Sequence, residues 1–145
     1  MIRQIHHVAI LTSDIETAIQ HYVKVMGCQA KEPTTVERPG VRWRTVLLPI
    51  GNGSTSLQLI EPHEGPGVRE LQDGGEGTLF EIGLQCESIE AFHDHLDHLS
   101  IEPGDLRGQP LDSRYLESKF GNCYFIIPKD QSRGTRLEIV QIGRL

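Results

Sequence analysis

Residues 4–11, QIHHVAIL, alternate in the two-residue period of a strand with one buried face. The period then lengthens. Ile15, Ala18, Ile19, Tyr22, Val23 and Met26 recur at spacings of three and four, which predicts an amphipathic helix over about 14–26. Ser13 and Glu16 fit a capping box at its start, and Gly27 fits its stop. Strands are predicted over CQAKEPTT (28–35), VRWRTVLLPI (41–50) and TSLQLIE (55–61). The last two are joined by GNGS, where Asn-Gly favours a tight hairpin. A stretch rich in glycine and charge, about 63–77, reads as a linker. A strand over 79–86 and a helix over about 88–100 follow. The apolar stripe of this second helix is Ile89, Phe92, Leu96 and Leu99. Three further strands fit YLESKF, NCYFIIP and TRLEIVQ.

The second half therefore repeats the first. HVAILTSDIETA (7–18) lies over EIGLQCESIEAF (81–92) at an offset of 74, from His7 to Glu81. SLQLIE (56–61) lies over RLEIVQ (136–141) at an offset of 80, from Gln58 to Glu138. The difference reads as extra loop in the second half. The plan is two βαβββ modules, about 4–62 and 78–142, in a single α+β domain over residues 1–145.

Alternation then sorts the side chains of the four repeat strands into two faces. Val8 with Ile10, Leu57 with Leu59, Phe80 with Ile82 and Leu84, and Leu137 with Ile139 form four apolar faces, expected to pack under the helices. His7, Gln58, Glu81 and Glu138 fall on the other face, and His6 on the helix side. Curling the sheets around a shared cleft brings these four together. One imidazole, one amide oxygen and two carboxylates suit a divalent ion such as Mg, Mn, Co, Ni or Zn, with two carboxylates balancing its charge. Alternating polar residues on a solvated sheet face are the bland alternative.

Composition narrows the class. The chain has 145 residues, 37% hydrophobic and 23% charged, and a net charge of −6 with no basic run, so nucleic acid is not an expected partner. No apolar stretch is long enough to span a membrane, the N-terminus does not read as a signal peptide, and a cytoplasmic protein is expected. Cys28, Cys86 and Cys123 form no CxxC pair and read as small buried residues. His93, His95 and His98 read as a solvated helix face. No glycine-rich segment has phosphate-loop spacing.

With these residues in place, the chain resembles the vicinal oxygen chelate superfamily of glyoxalases, bleomycin resistance proteins and dioxygenases. IHHVAILTSDIETAIQHYVKVMG is similar to its opening strand and helix. VLLPIGNGSTSLQLIEP, GGEGTLFEIGLQCESIEAF and YFIIPKDQSRGTRLEIVQ look most like methylmalonyl-CoA epimerases. The resemblance implies a glyoxalase-like fold with a cupped mixed sheet, and metal ligands at His7, Gln58 and Glu138. Glu81 departs from the epimerase pattern, which usually carries histidine there. Arg44 stands where some epimerases place a glutamate base, and a guanidinium there suits a carboxylate or phosphate of the substrate.

The implied activity is enolate chemistry on a chelated carbonyl compound, with Glu138 as the first candidate base and Glu81 the second. Epimerisation of a 2-methylmalonyl-type thioester, an acyl-CoA for instance, is the leading reading. Glyoxalase I-like lyase chemistry is the alternative within the enzyme class. Ring-cleaving oxygenation fits less well, because only His7 lies at a ligand position. The rival class is a drug-binding protein without metal, with Trp43 and Tyr115 lining a slot. A homodimer is the expected assembly.

Overall fold

The computed structural model describes residues 1–143; positions 144 and 145 of the expected domain lie outside the described residues. The chain divides into two compact units, one of His7–Phe80 and one of Met1–His6 with the chain from Glu81 onward.

The first unit takes in β1 (Ile2–Leu11) from His7 on, then α1 (Ile15–Met26), β2 (Thr34–Arg38), β3 (Val41–Ile50), β4 (Thr55–Glu64) and α2 (Val68–Gly74). Its strands lie in the order β2–β3–β4–β1. β1 runs parallel to β4, with His7 beside Ser56 and Ala9 beside Gln58, and the other pairs are antiparallel. α1 lays Ile15 and Ile19 on Val46, Leu48 and Leu59, with Ile10 and Leu57 packed alongside. The face predicted to carry the helix does carry it.

Local details differ from the sequence reading. α1 is capped by Asp14, which accepts the Thr17 N–H at 3.2 Å, and not by Ser13. Glu16, the expected second half of a capping box, turns to Arg44. Gly27, at φ 69°, ends the helix as expected, its N–H reaching Val23 O at 2.9 Å. The strand expected over 28–35 begins only at Thr34. Pro39 and Gly40, the latter at φ 75°, make the turn that pairs Arg38 with Val41 and so fixes the register. Pro33 has no N–H to give a ladder and stands just outside. The expected linker is partly ordered, since β4 continues to Glu64 and α2 follows.

The second unit holds the first residues of β1, then β5 (Leu79–Cys86) from Glu81 on, α3 (Ile89–His98), β6 (Leu116–Glu117), β7 (Cys123–Ile127) and β8 (Leu137–Gln141). The order is β1–β5–β8–β7–β6, and Gln4 Nε2 donates to Gln85 Oε1 at 3.0 Å. β5 and β8 are parallel, with Gly83 beside Glu138. α3, capped by Ser88, covers Phe125, Ile127 and Ile139 with Ile89, Phe92 and Leu96. Cys86 and Cys123 are buried in this cluster, as expected of small apolar residues.

Leu99, expected on the apolar stripe, lies beyond the helix and is mostly exposed. Phe80 sets its ring edge-on against Trp43 in the first unit, centroids 5.7 Å apart, outside the cluster under α3. His93 is not a solvated residue: its ring meets Phe125 at 5.9 Å and its side chain is 15% exposed. Among the described residues no helix is long and apolar enough to cross a membrane.

Candidate metal centre

In the first unit the site is built on the sheet face opposite α1. Alternation places His7 of β1, Gln58 of β4 and Thr45 of β3 on that face, and His7 is buried. The orientation of the Gln58 amide is fixed by chemistry. Thr45 Oγ1 donates its single hydrogen to Leu59 O at 2.9 Å, so it can only accept from Gln58. The group 3.0 Å from it is therefore the amide nitrogen, Nε2. That leaves Gln58 Oε1 buried and, among the described residues, without a hydrogen-bond partner. A buried carbonyl oxygen with no donor is uncommon in folded proteins and costs about 1–3 kcal/mol. An oxygen held this way is a ready ligand for a hard cation.

In the second unit Glu81 of β5 and Glu138 of β8 share a face, the one turned away from α3. Glu81 is 3% exposed, and one of its oxygens lies within 4.8 Å of one from Glu138. Between their register positions Gly83 puts no side chain on this face. Two carboxylates this close repel one another unless a positive charge intervenes. One is present: Arg136 Nε donates to Glu81 Oε1 at 2.8 Å, and Arg136 Nη2 donates to Leu106 O at 2.9 Å. Arg136 is itself buried.

The donor chemistry thus fits a divalent cation in both units: an imidazole and an orphaned amide oxygen in one, a carboxylate pair with Glu81 buried and Glu138 half-buried in the other.

Arg44 sits elsewhere. It lies on the α1 face of β3, opposite the face of Thr45 and Gln58. Its guanidinium binds Glu16 through two nitrogens and approaches Glu61 at 3.8 Å. The hydrogen bond from Arg44 holds the Glu16 carboxyl below its ordinary value, and Glu16 in turn raises Arg44.

Two site residues lay in plain view of the sequence without being assigned. Arg136 stands two positions before Glu138 and therefore on its face, a charge where a strand enters the core. Thr45 stands two positions before Leu47, which pairs with Gln58.

Comparison with known proteins agrees with this architecture. The profile of the Glyoxalase/Bleomycin resistance protein/Dioxygenase superfamily matches residues 6–103. The mitochondrial methylmalonyl-CoA epimerase of Homo sapiens is 27% identical over 133 residues, covering 88% of this chain and 68% of that protein. A variant of Streptomyces coelicolor methylmalonyl-CoA epimerase, solved in complex with 2-nitronate-propionyl-CoA, superposes with a TM-score of 0.76 at 21% identity, over 97% of this chain and 95% of that one. The Mycobacterium tuberculosis methylmalonyl-CoA epimerase superposes with a TM-score of 0.78 at 16% identity, over 97% and 88% of the two chains. At these identities the superpositions establish the glyoxalase-like α+β fold. The profile match, over more than half the chain, makes this protein a member of the glyoxalase, bleomycin resistance protein and dioxygenase superfamily.

Proposed function

We propose that this chain is a divalent-metal-dependent epimerase acting on an acyl-CoA thioester of the 2-methylmalonyl type. The proposed ligand set is His7, Gln58, Glu81 and Glu138. The observation that carries the reading is the buried Gln58 Oε1, which Thr45 aims and no hydrogen-bond donor among the described residues meets.

A divalent cation held by these residues supplies positive charge to a substrate carbonyl, which makes the neighbouring carbon more acidic. Glu138 takes the proton from that carbon and returns it to either face, inverting the centre or restoring it. Glu81 is the second candidate base, because one of its oxygens is already engaged by a guanidinium. Arg44, bound to Glu16 on the opposite face of β3, is left out of the set.

The likeness to the human epimerase along 88% of this chain supports the substrate class. The test combines metal analysis of the purified protein with solvent-deuterium uptake at the C2 position of a 2-methylmalonyl thioester after Co²⁺ or Mn²⁺ is added. Stoichiometric metal that is lost in His7→Ala, together with C2 exchange, is the expected result. Metal-loaded protein that leaves C2 unexchanged overturns the proposed reaction.

A further inference from the structure

The proposed reaction gives no role to the most deeply buried cation near the ligand set. Arg136 is 8% exposed and lies immediately before β8. Its guanidinium is held from two sides, by Glu81 Oε1 at 2.8 Å and by the Leu106 carbonyl at 2.9 Å. Leu106 is itself buried, in the segment between α3 and β6, so the carbonyl that anchors the guanidinium is not a surface group. A planar fork fixed at two points has little freedom to rotate. The carboxylate it grips is fixed with it.

We propose that Arg136 is a positioning residue for Glu81, and that it biases Glu81 toward ligation through one oxygen. This inference rests on the ligand set proposed above. The guanidinium already takes one lone pair of Oε1, which disfavours ligation of a cation through both oxygens of Glu81. It also offsets the charge of Glu81 while no cation is bound. Glu81 and Glu138 have oxygens within 4.8 Å of each other, and Glu81 is almost wholly out of water. Without Arg136 the repulsion between the two carboxylates favours turning Glu81 aside. With Arg136 the Glu81 carboxylate stays aimed. Partners of this kind, one bond removed from a metal, change affinity by about 10–100-fold when deleted.

The experiment is Co²⁺ titration of the whole protein, followed by the visible absorption of the bound ion, in wild type, Arg136→Met and Arg136→Lys. Absorption of Co²⁺ reports the number and kind of its ligands, which a merely structural role does not move. The expected result is a changed spectrum and an affinity altered by about tenfold or more in Arg136→Met. Arg136→Lys keeps a cation at Oε1 and is expected to restore the wild-type spectrum. If Arg136→Met does not fold, the double variant Glu81→Gln/Arg136→Met, which removes both charges, takes its place and is expected to show the spectrum of a site lacking one carboxylate. Wild-type binding with an identical spectrum and affinity in the variants overturns the role of Arg136 alone. Wild-type protein that takes up no Co²⁺ overturns the ligand set, and this inference with it.

Discussion

Glu61 Oε2 accepts the backbone N–H of Ile15, the first residue of α1, at 2.7 Å. Its repeat mate does the same: Gln141 Oε1 accepts the N–H of Ile89, the first residue of α3, at 2.9 Å. The two modules thus share a device in which the last strand reaches up to close the first turn of the helix. The copies differ in charge. Glu61 also meets His63 Nε2 at 2.6 Å and faces Arg44, whereas Gln141 is neutral. Glu61→Ala is therefore expected to cost about 2 kcal/mol in urea unfolding, and Gln141→Ala about 1 kcal/mol. Glu61→Gln keeps the acceptor and should lose less than Glu61→Ala. Equal losses in all three variants count against this account.

Gln58 offers a separation of stability from binding. Its Oε1 is buried without a partner, and Thr45 Oγ1 keeps its bond to Leu59 O whether or not the amide is there. Gln58→Leu removes an unsatisfied polar atom and fills a similar volume. The metal-free protein is expected to gain about 1 kcal/mol in denaturant unfolding, while metal analysis shows the bound ion lost. A less stable variant that still holds metal contradicts the assignment of Oε1 as a ligand.

The buried pair Arg136–Glu81 predicts a double-variant cycle. Glu81→Ala alone leaves a buried guanidinium without its carboxylate, and is expected to cost about 3–5 kcal/mol. Glu81→Met with Arg136→Met removes both charges and is expected to recover most of that loss, read by thermal or denaturant unfolding. Losses that simply add would mean the two side chains do not act as a pair.

Acid should loosen the segment after α2. Burial raises the Glu76 carboxyl, but hydrogen bonds from Ser13 and from Thr12, the latter at 2.9 Å, outweigh it and leave the group below its ordinary value of 4.5. Asp14 lies below 3.8 for a related cause, the side-chain and backbone bonds from Thr17. A carboxyl depressed in the folded state contributes stability above its unfolded value, and that contribution fades as pH falls through the folded one. Stability is expected to decline as pH drops below about 4.5. Glu76→Gln should flatten that decline, as measured by unfolding free energy at a series of pH values. An unchanged slope in the variant argues against Glu76 as its source.

The sequence disclosed the fold through its internal repeat. The offset that aligns Ile15 with Ile89 and the one that aligns Gln58 with Glu138 assigned the faces of β1, β4, β5 and β8, and Ile10, Leu59, Leu84 and Ile139 do pack beneath the helices. Nearest-neighbour competition was less legible. Asp14 takes the cap from Ser13 because a carboxylate one position closer makes both a backbone and a side-chain bond to Thr17. Glu16 is drawn to Arg44 by a charge 28 residues away, which no local pattern contains. Arg136 was on the right face by alternation, but its partner at Glu81 depends on the lateral pairing of β5 and β8.

The proposed base is tested most directly at Glu138. Glu138→Gln keeps a neutral oxygen donor at the same place on β8 and takes away the proton acceptor. Loss of a general base costs about 10²–10⁴ in rate. Deuterium exchange at C2 of the 2-methylmalonyl thioester is therefore expected to fall by about that factor, while metal analysis still finds the ion bound. Glu81→Gln, whose parent side chain is tied to Arg136, is expected to change metal binding more than proton transfer. Those two outcomes separate base from ligand. Exchange that survives Glu138→Gln and vanishes in metal-loaded Glu81→Gln reverses the roles of the two carboxylates.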